Sequence, residues 1–386
     1  MTYFLYGTPG SLYTGKARAY LIQQGIDFVE RAAGEIRFRE EIVPKIGRWI
    51  IPVLETGEGT LIQDGSDIIE HFENAGPTRF PACPALARHR LIAHIFELFG
   101  GEGLLRPAMH YRWNFDDCNR RFLEHDFPNS LAPTGAPDDV KAGLFLMAST
   151  RMRKAMVSFG VTPETIPTIE ASYLQFLQLF NAHLASSPFL LGGRPTLGDY
   201  GLIAPLYAHL ARDPYPSQIM KIQAHRVWRW VERMNAAYSD TGEYGIVAPE
   251  LFADDAVPPT LLSLLSFIAE DYLPEIEAFV GFTNQWLAQN PTIETGTNGL
   301  PRVQDRVIGQ VEFPWRGHTL CVAVMPYRVY LLQKIQDIFD RADALEQKDM
   351  QDLLSSTGLT ALLNLRVTCR VERIRNLEVW GEHIAA

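Results

Sequence analysis

The sequence contains few cysteines: four, at positions 83, 118, 321 and 369, and no two of them form a CxxC pair. This excludes a zinc site built on paired cysteines and a disulfide framework, so we predict no metal. No apolar run reaches the roughly 18 residues that a membrane-spanning helix needs. The first residues also lack the basic segment and long apolar run of a signal peptide. We therefore expect no membrane partner, and the scattered cysteines are typical of the cytoplasm.

Basic residues are outnumbered as well. The chain carries 35 Lys and Arg against 45 Asp and Glu, for a formal net charge of -10. Nucleic-acid binding needs clustered cations to neutralise phosphates. The one notable basic cluster comprises Arg151, Arg153 and Lys154, which we interpret as a solvated helix face. We therefore predict no nucleic-acid partner.

The composition is that of a folded protein of more than one domain. The hydrophobic fraction is 47% and the charged fraction 21% over 386 residues, which is enough apolar material for a sizeable core. The N-terminal part alternates strand and helix patterns in the order β-α-β, a variable connection, and then β-β-α. The predicted elements are strands at residues 3–6, 27–31, 50–55 and 60–63, and helices at residues 12–24 and 66–73, the second capped by Ser66 or Asp67.

Beyond about residue 85 the apolar period becomes helical. Apolar residues recur every three to four positions between 169 and 184. Thr196 and Asp199 have the spacing of a capping box, in which each side chain satisfies the other's free backbone N–H. After residue 250 a hairpin is predicted with arms at residues 307–315 and 318–325, followed by a helix at residues 327–345.

Three features in the N-terminal part carry chemistry. Ser11 stands where a loop enters a helix, whose free N–H groups and partial positive charge stabilise an anion such as a thiolate. Pro52 interrupts a strand. A cis bond between Ile51 and Pro52 would explain this, because it leaves the Ile51 backbone free to bind an extended peptide. Asp64 ends a strand just before a helix, where an acid could bind a ligand ammonium. Each alone has a plainer explanation as a cap or an edge-strand proline.

Together these features resemble the glutathione transferase superfamily, over residues 3–75 and more loosely over residues 165–235. The resemblance makes Ser11 the residue that activates the thiol. Ile51 and Pro52 look like the family's cis-proline pair, which binds the cysteinyl backbone. Asp64 and Gly65 fall at the positions of the family's Glu/Asp and Ser/Thr pair, which binds the γ-glutamyl end of glutathione.

Two positions depart from the family pattern. Gly65 replaces the usual hydroxyl residue, and Ser66 is the neighbour that could compensate. Arg48 is the candidate for binding the glycine carboxylate of glutathione, and Lys45 is the alternative. Tyr6 is the alternative to Ser11. A second-substrate pocket is assigned to His110, Tyr111 and Trp113.

The resemblance implies an α+β multidomain fold. Residues 1–78 form a thioredoxin-like α/β domain that binds glutathione, residues 85–245 an all-helical transferase-type domain, and residues 250–386 a mainly helical extension with a β-hairpin. It implies a cytoplasmic, dimeric detoxification enzyme: a glutathione transferase, or a related lyase or isomerase. Glutathione would be its co-substrate and a small electrophilic molecule its partner. The alternative is a non-catalytic binding or assembly protein with a degenerate glutathione site, which Gly65 and the long extension favour.

Overall fold

The N-terminal domain is a four-stranded mixed sheet with helices. The computed structural model describes residues 2–238 and 242–383 of the chain. The strand order is β2-β1-β3-β4, with β1 parallel to β2 and the other pairs antiparallel. The predicted order β-α-β and then β-β-α is confirmed. The elements are β1 (Tyr3–Gly7), α1 (Leu12–Gln24), β2 (Phe28–Ala32), a helical turn at Phe38–Ile42, α2 (Val43–Ile46), β3 (Val53–Glu55), β4 (Leu61–Gln63) and α3 (Gly65–Ala75).

The two ends of α1 follow from its sequence. Ser11 has extended backbone angles, and its side chain accepts a hydrogen bond from the Thr14 N–H, so it is the N-cap. Gly25 closes the helix at a φ of 68°, which a residue without a Cβ adopts freely. The helix therefore has the predicted bounds. The cap of α3 is a correction: Asp64, not Ser66 or Asp67, accepts from the Ser66 N–H, and the helix begins one residue earlier.

The second segment is entirely helical. The capping box of Thr196 and Asp199 opens α9, as predicted. The helices are α4 (Ala87–Leu98), a turn at Phe99–Gly103, α5 (Leu105–Trp113), α6 (Asp116–Leu131), α7 (Asp138–Ala155), a turn at Met156–Ser158, α8 (Ile166–His183), α9 (Leu197–Ala208), α10 (Pro214–Gln223) and α11 (His225–Met234). The predicted boundary with the extension includes residues 239–241, which lie outside the described residues.

The extension contains the predicted hairpin and a second one that the sequence did not indicate. Its α14 starts at the predicted residue but ends at Arg341, because Asp343 caps a separate helix. The elements are turns at Gly242–Tyr244 and Ala253–Asp255, α12 (Pro259–Asp271), α13 (Leu273–Gln289), β5 (Gly309–Trp315), β6 (His318–Val324), α14 (Tyr327–Arg341), α15 (Ala344–Thr357), α16 (Ala361–Asn364), β7 (Cys369–Ile374) and β8 (Leu377–His383).

One apolar core joins the three segments. A single cluster of buried side chains runs from Leu5 in β1 to Trp380 in β8. Both α14 and α15 of the extension pack against α4 of the helical segment. Among the described residues, no helix is both long and apolar enough to cross a membrane.

Replacing Asp199 by alanine should destabilise the protein by about 3 kcal/mol, because buried donors that lose their acceptor cost roughly 1–3 kcal/mol each. Its fully buried carboxylate accepts from the N–H groups of Thr196 (2.9 Å) and Leu190 (3.0 Å) and from Trp230 Nε1 (3.2 Å). The exposed capping box of Asp343 provides the matched control, for which alanine should cost about 1 kcal/mol. Urea denaturation compares the two, and equal losses would contradict the assigned role of Asp199.

Candidate functional site

A residue of the helical segment binds the loop that precedes α1. Arg112 donates from Nη1 to the Gly10 carbonyl at 2.9 Å. Its guanidinium is fixed by Asp213, with Nε–Oδ2 and Nη2–Oδ1 distances of 2.7 and 2.8 Å. Ser11 Oγ accepts from the Thr14 N–H at 3.3 Å, so its own hydroxyl hydrogen remains free to donate. The loop therefore presents a serine hydroxyl at the N-terminus of α1.

The hydroxyl of Tyr6, the alternative to Ser11 as the residue that activates the thiol, is hydrogen-bonded within the sheet domain. Its hydroxyl donates to Glu55 Oε2 at 3.2 Å and accepts from Arg37 at 2.9 Å. Burial, reinforced by the Glu55 carboxylate, raises the pKa of Tyr6 to about 12. The ring packs with Phe38 in a core cluster separate from the main one. Tyr6 is thus a packing residue of the sheet.

The Ile51–Pro52 peptide bond is cis, as predicted. It lies beside Asp64, whose N–H donates to the Pro52 carbonyl at 3.1 Å. Asp64 itself has a φ of 94°, an uncommon backbone conformation for a residue other than glycine. Its side chain accepts from the Ser66 N–H at 2.8 Å. The cis-proline loop and the acid at the start of α3 are therefore brought together.

Gly65 lies where α3 approaches α1 closely. A Cβ at this position would lie 3.1 Å from the Tyr13 carbonyl oxygen and 3.2 Å from Lys16 Cδ. Both neighbours belong to α1, so a larger residue here would need a small adjustment of the two helices. Position 65 thus offers a ligand only its backbone.

Ser66 belongs to a buried ion pair. Lys16 Nζ lies 2.5 Å from Glu97 Oε1 and 2.6 Å from Ser66 Oγ, and Ser66 donates to the same carboxylate at 2.8 Å. Burial alone would raise the pKa of Glu97, but Lys16 and His94 together outweigh it and lower the pKa well below its ordinary value. The Ser66 hydroxyl is therefore used within the protein.

The extension reaches Asp64 through Tyr327. The Tyr327 hydroxyl donates to Asp64 Oδ1 at 2.9 Å and lies 3.3 Å from Ser66 Oγ. Burial and the Asp64 carboxylate raise the pKa of Tyr327 well above its ordinary value, so the hydroxyl stays protonated. Tyr327 thus supplies a donor to the carboxylate that the sequence suggested for a ligand ammonium.

The second hairpin of the extension covers the end of β4. Arg373 Nη2 donates to Gln63 Oε1 at 2.9 Å, and Nε donates to Asp67 Oδ2 at 2.8 Å. The Gln63 N–H donates to Asn376 Oδ1 at 3.3 Å. The Arg373 guanidinium also lies over the Tyr327 ring. Tyr327 and the tip of this hairpin therefore form one layer over β4 and the start of α3.

Arg48 is paired with the same hairpin. It is 7% exposed, and it donates to Glu378 Oε2 at 3.1 Å and to the Asn376 carbonyl at 2.9 Å. Glu378 also accepts from Arg373 at 2.5 Å and Arg306 at 3.3 Å. Burial alone would raise the pKa of Glu378, but Arg306 and Arg48 outweigh it and lower the pKa to about 2. One carboxylate of the extension thus neutralises Arg48.

A second buried network joins the extension to the helical segment. Arg328 donates to Glu102 at 3.0 Å and forms a short ion pair with Glu275. Glu275 also accepts from Arg106 at 2.5 Å, and Glu102 accepts from the Tyr13 hydroxyl at 2.8 Å. The network fixes α14 against α1, the turn before α5, and α13.

Comparison with known proteins decides the family. The model of the glutathione S-transferase N-terminal domain matches residues 5–80, and that of the glutathione S-transferase C-terminal domain matches residues 163–233. The chain belongs to the glutathione transferase superfamily. The second match ends at residue 233, so the extension lies outside both. No protein with a curated description matches the sequence.

Solved glutathione transferases are similar in structure over about two thirds of this chain. One from Xanthobacter autotrophicus Py2 is 21% identical, covering 61% of this chain and 93% of its own, with a TM-score of 0.35. One from Methylobacterium radiotolerans JCM 2831, in complex with glutathione sulfonate, is 17% identical, covering 67% and 100%, with a TM-score of 0.36. GSTFuA3 from Phanerochaete chrysosporium is 14% identical, covering 64% and 99%, with a TM-score of 0.42.

The transferase positions expected to hold glutathione do not fit it in this structure. Asp64 is bonded to Tyr327, and Arg48 is paired with Glu378. Position 65 offers no hydroxyl, and the Ser66 hydroxyl is bonded to Glu97. Ser11 and the cis-proline loop keep the arrangement that the family resemblance implies. The two halves of the expected site thus differ: among the described residues, the extension forms hydrogen bonds with Asp64 in the γ-glutamyl half and with Arg48.

The residues assigned to a second-substrate pocket lie in the core of this transferase fold. His110, Tyr111 and Trp113 are each 1% exposed. His110 Nε2 lies 3.0 Å from Glu170, and the Tyr111 ring packs with Tyr173. Their burial leaves them no surface for a substrate in this conformation. The described residues contain no group of three or more potential metal ligands.

Sequence reasoning missed the extension's residues at the transferase site. Tyr327 lies in a predicted helix, and the residues around Arg373 have the pattern of a strand. Neither pattern indicates that these side chains contact the N-terminal domain. Arg375 and Asn376, at the turn of the second hairpin, have φ values of 51° and 67°. Asparagine favours such positions in two-residue hairpins, so Asn376 is a weak local signal for the turn, but it does not indicate what the hairpin contacts.

Proposed function

We propose that this chain is a glutathione-transferase-fold protein whose glutathione site is closed by its own extension, and that it serves as a binding or assembly module. The observation that carries the proposal is the 2.9 Å hydrogen bond from the Tyr327 hydroxyl to Asp64. Asp64 is the acid that the family resemblance assigns to the γ-glutamyl ammonium. A donor from the chain itself satisfies it instead.

Charge supports the same proposal. Burial alone would lower the pKa of Arg373, but the Asp64 and Asp67 carboxylates raise it above its ordinary value. A cation of the chain therefore already neutralises the acids around the γ-glutamyl position. A ligand ammonium would have to compete with Arg373, and a ligand carboxylate would have to compete with Glu378 for Arg48.

The free energies involved favour the state in which the extension covers the glutathione site. Removing one partner of a buried ion pair costs about 3–5 kcal/mol, since it leaves an uncompensated charge. A ligand with a millimolar dissociation constant gains only about 4 kcal/mol on binding. Opening the site breaks such pairs within the chain, so a ligand that does not replace each of them loses a comparable amount of binding energy.

The wild-type protein should not be retained on immobilised glutathione, and millimolar free glutathione should not raise its melting temperature. Tyr327→Phe removes the hydroxyl that donates to Asp64, and Arg373→Met removes the cation that is paired with the neighbouring Asp67. Any weak retention should therefore emerge only in these variants. Tyr330→Phe, on the same helix, is the matched control and should behave as wild type. Retention of the wild-type protein, reversed by free glutathione, would overturn the proposal.

A second candidate function is conjugation of glutathione to a small electrophile by its thiolate. The observation that favours it is the free hydroxyl hydrogen of Ser11 at the N-terminus of α1. The test is an activity assay with glutathione and an aryl halide. Turnover by the wild-type protein that is lost in Ser11→Ala would favour this candidate. Turnover at the buffer rate in both proteins supports the binding module.

A further inference from the structure

Three side chains near the start of the helical segment connect a thiol to a carboxylate. Cys83 lies in the connection between α3 and α4, and it is exposed. Its Sγ lies 4.0 Å from His94 Nε2, and His94 Nδ1 lies 3.3 Å from Glu97 Oε2. His94 and Glu97 are three positions apart on α4, so their side chains share one face of the helix. A nucleophile, a base and a carboxylate thus stand in series, at the longer distances that are common before a substrate binds.

The carboxylate of Glu97 is fixed in place by groups other than His94. Its Oε1 lies 2.5 Å from Lys16 Nζ and accepts from Ser66 Oγ at 2.8 Å. Its Oε2 faces His94 Nδ1, which has no other partner among the described residues. A carboxylate beside Nδ1 favours the tautomer that carries its proton on that nitrogen. His94 Nε2 is then unprotonated, and it is the atom that faces the thiol.

The thiol of Cys83 needs a base, because its surroundings hold the proton on the sulfur. Cys83 has exposed surface, but the protein around its sulfur raises the pKa of the thiol above its ordinary value by removing water. The charged side chains that act on the thiol are two cations, which lower its pKa, and two carboxylates, which raise it: Arg90, Lys334, Glu73 and Glu97. At neutral pH the thiol is therefore mostly protonated, and attack by its sulfur requires transfer of the proton to His94.

We propose that Cys83 is a nucleophilic thiol that forms a mixed disulfide with a low-molecular-weight disulfide, and that His94 is its general base. The Cys83 proton passes to His94 Nε2, and the thiolate attacks one sulfur of the small molecule. A bond forms between Cys83 Sγ and that sulfur, and the bond between the two sulfurs of the small molecule breaks. The departing thiolate takes the proton from His94, so one thiol and one disulfide stand on each side of the reaction. Glu97 stabilises the imidazolium that exists between these steps.

The backbone around the thiol favours a disulfide over a carbonyl compound as the substrate. A carbonyl substrate needs free hydrogen-bond donors for the oxyanion that forms. The Ala82 N–H donates to Glu73 Oε2 at 2.8 Å, and Pro84 has no N–H. The chain neighbours of Cys83 therefore offer no such donor, whereas disulfide exchange needs only an accessible thiolate and a leaving thiol. The inference holds whether or not glutathione binds at the transferase site.

The test is the rate at which the full chain reacts with dithiobis(nitrobenzoic acid), an aromatic disulfide that releases a coloured thiolate. Mass spectrometry of peptides locates the mixed disulfide. Cys83 should react about tenfold or more faster than Cys118, an exposed thiol for which the described residues provide no histidine partner. His94→Gln should remove this advantage at neutral pH. His71→Gln, which changes an exposed histidine of α3, is the matched control and should keep it.

A pH series distinguishes a base from a residue that only packs beside the thiol. At alkaline pH the thiolate forms without a base, so the rates of the wild-type protein and His94→Gln should converge. Three outcomes would overturn the inference: a rate at Cys83 no greater than at Cys118, a neutral-pH rate that His94→Gln does not lower, and a loss in that variant that persists at alkaline pH. The first is measured on the wild-type protein alone, so it decides the matter even where His94→Gln does not fold.

Discussion

Replacing Arg328 by methionine is expected to lower the free energy of unfolding by about 3–5 kcal/mol, the usual cost of breaking a buried ion pair from one side. Arg328 is 3% exposed and lies between Glu102 and Glu275. Burial alone would lower the pKa of Arg328, but these carboxylates raise it well above its ordinary value. Methionine keeps much of the volume of the side chain but leaves Glu102 without its cation and Glu275 with Arg106 alone. Chemical denaturation followed by tryptophan fluorescence measures the loss.

An exposed pair supplies the control for Arg328. Arg302 is 70% exposed, and its Nη2 lies 2.9 Å from Asp305. Solvent screens such a pair, so Arg302→Met should change stability by less than about 1 kcal/mol. If the two variants lost equal stability, the buried network would not be what holds α14 in place.

Glu378→Gln should be the second most damaging change, again by about 3–5 kcal/mol. The carboxylate accepts from Arg48, Arg306 and Arg373 at 3.1, 3.3 and 2.5 Å. Glutamine keeps the shape but leaves Arg48 and Arg306 without their anion and Arg373 with Asp67 alone. The extension's second hairpin should therefore detach first, which amide hydrogen exchange in β7 and β8 would detect. Unchanged exchange there would contradict the assigned role.

The same residue predicts a dependence on pH. The pKa of Glu378 is about 2 in the folded protein, against about 4.3 for an unfolded glutamate. Its stabilising contribution is therefore fully present above the unfolded value and is lost as the pH falls through the folded one. The stability difference between wild type and Glu378→Gln should stay constant from neutral pH to about 4.3 and shrink toward pH 2. Denaturation midpoints over that range provide the measurement.

The elements that the sequence predicted well are those specified by neighbouring residues. Ser11 and Gly25 bound α1 because a cap side chain and a left-handed glycine act within a few residues. The capping box of Thr196 and Asp199 is equally local. The helix at 327 was predicted too long because Asp343, which caps the next helix, was not recognised.

The site was predictable only in part, since half of it comes from distant residues. Asp64 and the cis-proline follow from local pattern and family resemblance. Tyr327 meets Asp64 across 263 positions of sequence, and no spacing rule predicts that contact. Arg48 is predicted from the family resemblance to bind the glycine carboxylate of glutathione, and in this structure it is paired with Glu378.

The unbroken core from β1 to β8 has a consequence for how this protein can change over time. The apolar side of α4 is shared between the helical segment and α14 of the extension. A substitution that improves the fit of α14 must therefore suit α4 as well, so the two helices are constrained to vary together. Removal of the extension would expose the apolar side of α4 to water, so residues 5–233 without the extension should be prone to self-association.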